Sequence, residues 1–296
     1  MSAKYACITQ HRAEFRITLM CRVLAVSPSG YYGACQRRPS AHAARDEQLL
    51  VAIRVEHGRS RRRYGAPRIH RELQATGTPV SRKRVARLMR TDGLRGRRPR
   101  RFARTTDRGH AEPVAPTTLA QVFAPAARGG PDRVWASDIT YLRTPRGWLY
   151  LAIVLDLATR RVVGWHTGTT LGEDLALGAL RRALASRGPA AGWCHHSDRG
   201  CQYAGRAYRA LVRAHGGTLS MSRRGNCYDN AVVESFFATL KIEWGDTFDW
   251  EDELAARRAL FDFIEVWYNR QRRHSTLGYL SPVAYEESLG RPARAA

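Results

Sequence analysis

The 296-residue sequence predicts an α/β fold, with a mixed five-stranded sheet and flanking helices, preceded by an all-α region. Two observations predict it. Before residue 95 the apolar side chains recur at helical spacing, and from Arg133 onward they form runs rich in β-branched and aromatic residues. The segments of this second part follow the order βββαβαβα, which is typical of a ribonuclease-H-like domain.

The N-terminal segments predict short helices. Residues 13–36 predict two of them around a turn, with Leu19, Val23 and Leu24 facing inward. Residues 46–57 predict an amphipathic helix.

Residues 64–94 predict a helix-turn-helix, because Gly77 breaks the pattern and Ser81 can cap a second helix. The cations of that helix favour DNA binding, although a small bundle with a solvated basic face is the alternative. These predicted DNA-binding residues are Arg82, Lys83, Arg84, Arg87 and Arg90.

Positive charge is concentrated in the front of the chain. Residues 1–105 hold 25 Lys and Arg against 6 Asp and Glu, a net charge of +19, whereas residues 106–296 hold 24 against 20, a net charge of +4. The front part is therefore expected to bind a polyanion. A membrane surface is the competing partner, but the basic half has no helix with a large apolar face opposite its charges. Nucleic acid is favoured.

Residues 95–104, RGRRPRRFAR, contain six arginines, and a Pro/Ala/Gly-rich segment continues to Pro131. This composition predicts a tether, in which Arg97 and Arg98 would contact phosphates; a merely solvated linker is the alternative.

No apolar run is long enough to span a bilayer, and no signal peptide is indicated. The six cysteines include no C-x-x-C pair. We expect a reduced, cytoplasmic protein.

From Arg133 the sequence predicts a three-stranded antiparallel meander at 134–142, 148–157 and 161–169. Short turns separate these strands. The segments that follow predict a helix at 173–186, a strand at 192–197, a helix at 203–215, a strand at 218–222 and a helix at 230–243.

Three carboxylates occupy defined places in this pattern. Asp138 lies in the middle of the first strand, Asp198 ends the fourth, and Glu234 lies one turn inside the last helix. Adjacent first and fourth strands would place the two aspartates side by side. Each alone could be a cap or a salt-bridge partner, but three together are tolerated only if protonated, paired or binding a cation. Oxygen ligands favour Mg²⁺ or Mn²⁺, and two such ions would activate a water or a 3′-hydroxyl.

Lys241 follows Glu234 by seven residues, so both side chains point the same way from a helix. Lys241 could hold a DNA phosphate, and Asn230 could position the strand. The alternative is an ordinary surface pair. A zinc site at residues 194–201 is disfavoured because no second ligand pair has zinc-like spacing; a histidine there is expected to contact phosphate or to support Asp198.

Residues 253–268 predict a helix that packs on the sheet rather than a dimer zipper. Its apolar positions are Leu254, Phe261, Ile264 and Tyr268, and the basic residues after it, expected to contact DNA, are Arg270, Arg272, Arg273 and His274.

Five segments in this order resemble the second-frame transposase of insertion sequences of the IS-three family, whose catalytic part is similar to retroviral integrase. They are WASDITYL, GWLYLAIVLDLATRRVVGW, HHSDRGCQY, GNCYDNAVVESFFATLK and WYNRQRRHSTLGYLSP. The resemblance spans about residues 10–287. It places the family's Asp-Asp-Glu (DDE) triad on Asp138, Asp198 and Glu234 and its basic residue on Lys241.

The resemblance implies a DDE-type transposase that cuts at the element's terminal inverted repeats and joins the freed 3′-hydroxyl to target DNA. It implies two Mg²⁺ or Mn²⁺ ions per active site. The implied partners are double-stranded DNA, further copies of the chain in a synaptic complex, and the upstream-frame product, with no membrane. The implied location is the bacterial cytoplasm, at the nucleoid.

The predicted domain boundaries combine these observations. They are an N-terminal helical segment at 1–40, a helix-turn-helix DNA-binding domain at 41–94, a basic linker at 95–131, a ribonuclease-H-like catalytic core at 132–245, and a C-terminal helix with a basic tail packing on the core at 246–296.

Overall fold

A computed structural model describes residues 3–36, 40–97, 129–145, 147–222, 231–244, 250 and 252–290. The predicted linker therefore lies mostly outside the described residues, and so do Arg98 and Asn230. None of the helices in these ranges is both long and apolar enough to cross a bilayer.

The front of the chain is helical, as predicted. A small cluster of Ile8, Cys21 and Tyr31 holds the first three helices together, whereas Leu19 and Val23 are exposed, so their predicted inward orientation is wrong. The six front helices are α1 (Ala3–His11), α2 (Ile17–Val23), α3 (Pro28–Gln36), α4 (Ala41–Arg59), α5 (Ala66–Ala75) and α6 (Arg82–Thr91).

Helices α5 and α6 form the predicted helix-turn-helix. Gly77 adopts a left-handed conformation (φ 76°) at the end of α5, which glycine permits without a Cβ clash. The Ser81 hydroxyl accepts a hydrogen bond from the Arg84 N–H (3.3 Å) and caps α6. The buried side chains of α6 are Val85, Leu88 and Met89.

The second part contains the predicted mixed sheet of five strands, in the spatial order β3-β2-β1-β4-β5. β1, β2 and β3 form an antiparallel meander, and β4 pairs parallel with both β1 and β5. The strands are β1 (Val134–Thr144), β2 (Gly147–Asp156), β3 (Val162–Gly168), β4 (Cys194–Ser197) and β5 (Thr218–Met221).

One face of the sheet is covered by α7 (Glu173–Arg187), α8 (Cys201–Ala204) and α9 (Arg206–Ala214). We expected one helix over residues 203–215, but the chain breaks at Gly205. A side chain at Gly205 would overlap the Glu173 carboxylate, which accepts a hydrogen bond from the Tyr208 N–H (3.0 Å) at the start of α9. This tertiary cap ends one helix and begins the next.

The other face is covered by α10 (Ala231–Trp244), α11 (Glu253–Phe261) and a π-helix (Asp262–Gln271) that continues α11. The predicted packing of this segment on the sheet is confirmed, because Ile264 and Tyr268 are buried in the same cluster as β2. Leu254 and Phe261 are instead exposed.

The chain closes with α12 (Pro282–Ser288), which is anchored to the core by a buried carboxylate. Glu286 accepts hydrogen bonds from Arg161 (3.1 Å) and Arg187 (2.5 Å), and Arg187 also binds both oxygens of Asp132. Such pairs hold their partners in one arrangement because each charge would otherwise be buried alone.

One hydrophobic cluster runs through both parts of the molecule. It joins Ile69 and Leu88 of the helix-turn-helix to Leu151 of the sheet, through α10 and Trp267 of the π-helix. The helix-turn-helix therefore packs against the sheet-containing part in this structure, although a basic segment separates the two in sequence.

Candidate active site

Two neighbouring strands bring the first two predicted carboxylates together. In the parallel pairing of β1 with β4, Ser137 lies opposite Ser197. Asp138, in the middle of β1, and Asp198, directly after the last residue of β4, come next in the chain, and both are half-buried. The predicted adjacency of these strands is confirmed.

The loop after β4 has a fixed shape around Asp198. Its Oδ1 accepts a hydrogen bond from the Gly200 N–H (2.9 Å), and the Arg199 guanidinium donates to the Ser222 carbonyl (2.8 Å). A Cβ at Gly200 would lie 2.9 Å from Gln202 Oε1 and 3.0 Å from Asp198 Oδ1. Glycine at this position thus leaves the carboxylate of Asp198 in place.

The histidines that precede Asp198 are buried rather than exposed to DNA. Nε2 of His195 lies 2.9 Å from both Ser137 Oγ and Tyr208 Oη. Burial, with a smaller effect of the neighbouring His196, lowers the pKa of His195 to about 3. The expected phosphate contact is therefore wrong for these histidines. His195 instead connects β4 to Ser137 of β1 and Tyr208 of α9.

Tyr203 is a residue of this site that the sequence did not single out. Its hydroxyl is fully buried and has no hydrogen-bond partner among the residues that the structure describes. Burial raises the pKa of Tyr203 well above its ordinary value, and the nearby charges of Asp138 and Asp198 raise it further. A buried hydroxyl donor without an acceptor costs free energy, so the hydrogen bonding of Tyr203 is incomplete within the described residues.

Glu234 and Lys241 lie on α10, which packs against β1. Glu234 is exposed, and the Lys241 ammonium lies 5.2 Å from the centre of the Tyr141 ring. Tyr141 is 40 % exposed and packs edge-on against Trp148, so this lysine stands beside an open aromatic pair.

The three acids do not form one cage in this structure. Within the described residues no group of three or more His, Cys, Asp or Glu side chains is close enough to hold a metal ion. This also leaves the zinc alternative without a ligand set in the same residues.

The cations of α6 divide into two groups. Arg82, Lys83 and Arg90 are exposed. Arg84 is half-buried and binds Asp46 of α4 (2.7 Å), and Arg87 binds the other oxygen of that carboxylate (2.6 Å). The Arg87 hydrogen bond lowers the pKa of Asp46.

Of the basic residues expected to contact DNA here, Arg270 is exposed in the π-helix, and its contact stays a prediction. Arg272 and His274 are buried and Arg273 is half-buried, so the expectation of exposed DNA contacts is wrong for these three. Arg272 is 6 % exposed and donates to Glu243 (2.8 Å). Arg273 binds both oxygens of Glu72 on α5 (2.8 and 2.9 Å). Arg97, at the start of the linker, donates to the Glu243 carbonyl (3.1 Å).

Known proteins resemble this chain over nearly its whole length. An insertion element IS600 protein of 31 kDa from Shigella sonnei is 45% identical over 268 residues, covering 90% of this chain and 97% of that protein. The transposase InsF for insertion sequence IS3A from Escherichia coli (strain K12) is 44% identical over 289 residues, covering 96% and 98%. The chain belongs to the IS3 transposase family.

Family descriptions agree with the division of the chain. Residues 129–227, which contain the two aspartates, and residues 215–282, which contain Glu234 and Lys241, each match an integrase core domain. Residues 44–102 match an HTH-like domain. The protein is thus a DDE-type DNA transposase with a DNA-binding helix-turn-helix region.

Solved structures with a similar arrangement are viral proteins of low sequence identity. A simian T-cell lymphotropic virus intasome chain shows a TM-score of 0.46 at 14% identity, covering 83% of this chain and 78% of that one. The HTLV-2 integrase catalytic core domain in complex with magnesium shows a TM-score of 0.38 at 13% identity, covering 52% and 95%.

Proposed function

We propose that this transposase binds the terminal inverted repeats of an insertion sequence and catalyses metal-dependent strand cleavage and strand transfer by 3′-hydroxyl attack on phosphodiesters. The observation that carries the proposal is the placement of Asp138, in the middle of β1, beside Asp198, which directly follows the paired strand β4, inside an integrase core domain. The catalytic residues of the proposal are these two aspartates and Glu234.

The donor set fits Mg²⁺ or Mn²⁺, because all three proposed ligands offer carboxylate oxygens. The lone Tyr203 hydroxyl supports the same fit, since a hydrated cation between the aspartates would give it a water to bond. Asp138, Asp198 and Glu234 would hold two such ions. When bound, these ions activate the attacking hydroxyl or water and stabilise the leaving oxygen.

The remaining roles belong to the chain's own residues. The proposal requires Glu234, exposed on α10, to approach the aspartates when metal and DNA bind. Lys241 holds a DNA phosphate beside them, and Asn230, outside the described residues, positions the strand.

The helix-turn-helix would provide recognition of the terminal repeats. Helix α6 enters the major groove, where its exposed cations contact the DNA, and the arginines of the linker follow the phosphates. Arg84 takes a supporting part, because Asp46 already holds it. The proposed DNA-binding residues are Arg82, Lys83, Arg84, Arg87, Arg90, Arg97, Arg98, Asn230 and Lys241.

The wider assembly belongs to the same proposal. Two element ends require more than one copy of the chain, so a homo-multimer forms the synaptic complex, with the upstream-frame product as a further partner. The working location is the bacterial cytoplasm, on nucleoid DNA. The domain boundaries at residues 41–94 and 132–245 remain part of the proposal.

Glu234→Gln tests the triad. The purified chain is incubated with Mg²⁺ and labelled duplexes that carry its flanking genomic DNA, and cleavage and joining are followed on gels. We expect strand transfer to fall by at least about 10²-fold, a loss of about 3 kcal/mol of transition-state stabilisation, with DNA affinity retained. Glu253→Gln, an exposed glutamate on α11, is the matched control and is expected to act like the wild type.

Three outcomes would contradict the proposal. Strand transfer that persists in Glu234→Gln would show that the triad is assigned wrongly. A wild-type chain that binds DNA without cleavage would be a repressor. One that cleaves without joining would be a structure-selective nuclease.

A further inference from the structure

A basic cavity of about 380 Å³ lies where the helix-turn-helix, the sheet and the C-terminal segment meet. Neither Asp138 nor Asp198 is among the described residues that line it. Arg68 comes from α5, Arg160 from the turn between β2 and β3, and Arg272 from the segment after the π-helix. Ser235 and Thr239 of α10, the helix that carries Glu234, form another wall of the cavity.

The three guanidinium groups all lie near the side chain of His274, which also lines the cavity. The pKa of His274 is well below its ordinary value because of burial first and then the charges of Arg272, Arg68 and Arg160. The ring is therefore neutral and adds no charge of its own. Three cations from distant parts of the sequence thus converge around one neutral ring.

In the part of the chain that the structure describes, the arginines of the cavity outnumber the carboxylates near it. Arg68 (3.8 Å) and Arg272 (2.8 Å) share the single carboxylate of Glu243. Asp156 attracts Arg160 through space, but its oxygens accept hydrogen bonds from the backbone of Asp132, Ala158 and Thr159. Among the described residues, three guanidinium groups thus lie near two carboxylates, and partly buried positive charge of this kind favours an anionic ligand.

The rim adds neutral hydrogen-bond donors. Ser235, Ser275 and Thr276 are exposed and line the opening with hydroxyl groups. The first described turn of α10 contributes Ala231 and Val232 to the same wall. Arginines at the base with hydroxyls at the rim suit the oxygens of a phosphate group.

Arg160 reaches the cavity from a backbone that arginine rarely adopts. Its φ is 62°, in the left-handed region, and its N–H donates to the Asp156 carbonyl (2.8 Å) to close the turn. The side chain of a residue in this uncommon conformation therefore lines the cavity.

We propose that this cavity binds a backbone phosphate of a DNA strand and thereby holds that strand along the helix that carries Glu234. The inference rests on the proposed function only in taking DNA as the ligand. Ser235 follows Glu234 directly in the chain, so a phosphate held at the cavity rim lies within one helical turn of the third catalytic carboxylate. The cavity is a positioning site for the strand.

Two variants test it in binding experiments with EDTA present, so that no cleavage occurs. Arg160→Gln removes one guanidinium without changing the turn. Binding to a fluorescein-labelled duplex of the flanking DNA is followed by anisotropy from about 50 to 200 mM salt. Loss of one phosphate contact is expected to lower the slope of log K against log salt by about 0.9, which is about eightfold weaker binding at 0.1 M salt.

Thr239→Glu places a carboxylate in the cavity wall, and Thr239→Gln is its neutral match. We expect Thr239→Glu to weaken binding at least as much as Arg160→Gln, and Thr239→Gln to stay within about twofold of the wild type. Arg206→Gln removes an exposed arginine on α9, across the sheet from the cavity, and is expected to leave both slope and affinity unchanged.

Each contrary result has a defined meaning. Equal losses in Arg160→Gln and Arg206→Gln would show diffuse attraction and overturn the proposal, as would unchanged binding in both cavity variants while the wild type binds DNA. A melting temperature raised by inorganic phosphate in the wild type but not in Arg160→Gln, with equal DNA binding, would assign the cavity to a free anion and also overturn it. A wild type that binds no duplex would instead overturn the proposed function.

Discussion

Replacing Glu243 by leucine removes the acceptor that joins the end of α10 to the C-terminal segment. Glu243 is 4 % exposed, and its two oxygens accept hydrogen bonds from Trp267 Nε1 (2.8 Å) and Arg272 Nε (2.8 Å). Arg272 is itself 6 % exposed, so the substitution leaves a buried guanidinium and a buried indole N–H without their acceptor. Breaking a buried pair from one side costs about 3–5 kcal/mol.

That loss is large enough to measure by calorimetry. For a chain of this size 1 kcal/mol moves the melting temperature by about 2–4 °C, so Glu243→Leu is expected to melt about 6–20 °C below the wild type. The double variant Glu243→Leu with Arg272→Met removes both charges, and we expect it to be more stable than Glu243→Leu alone. Glu253→Leu, which breaks the exposed pair with Arg257 (2.8 Å), is the control and should cost less than about 1 kcal/mol.

Two results would refute this reasoning. The first is a Glu243→Leu variant that melts within about 2 °C of the wild type, which would mean that the carboxylate contributes less than about 1 kcal/mol. The second is a double variant that melts below the single one, because the cost would then come from lost packing rather than from an unpaired charge.

Three further substitutions test the site. Tyr203→Phe removes a hydroxyl that lacks a partner among the described residues, so the melting temperature should not fall, whereas strand transfer with Mg²⁺ should drop by about tenfold; activity equal to that of the wild type would exclude the hydroxyl from the site. Gly200→Ala puts a Cβ 3.0 Å from the Asp198 carboxylate, and strand transfer should fall by about 10²-fold with DNA affinity retained; full activity would show that the loop adjusts freely. Burial lowers the pKa of His195 from 6.5 to about 3. Below pH 6.5 the unfolded chain therefore binds a proton at His195 that the folded chain does not bind, so the contribution of neutral His195 to the unfolding free energy is lost as pH falls from 6.5 to 3. His195→Gln lacks this loss, so the gap in unfolding free energy between wild type and variant should narrow by about 1 kcal/mol from pH 6 to pH 5; a constant gap would mean that His195 is already protonated in the folded state.

The sheet could be predicted because its strands carry local signals. β-branched and aromatic runs separated by short turns gave β1, β2 and β3 nearly at their observed bounds. The pairing of β1 with β4 follows from the order of elements, and this order alone predicts Asp138 beside Asp198. Nothing local placed Tyr203, since its proximity to both aspartates depends on how the loop after β4 turns back over the sheet.

The errors arose where a distant residue decides the local structure. Residues 203–215 have a continuous helical pattern, but the Glu173 carboxylate divides them at Gly205. The sequence predicts DNA contacts for the arginines near the C-terminus, yet Glu243 and Glu72 pair with Arg272 and Arg273 inside the molecule. A sequence gives the sign of the charge on each side chain, but it does not show which side chain lies beside it in the folded protein.

The single cluster that runs from Ile69 through Trp267 to Leu151 limits how this transposase can be re-engineered. A chimera that takes only the helix-turn-helix from another relative would have a mismatched packing interface against Trp267 and Arg273. Changing the DNA target by grafting therefore has to transfer the C-terminal segment as well, so that both sides of this interface come from the same parent.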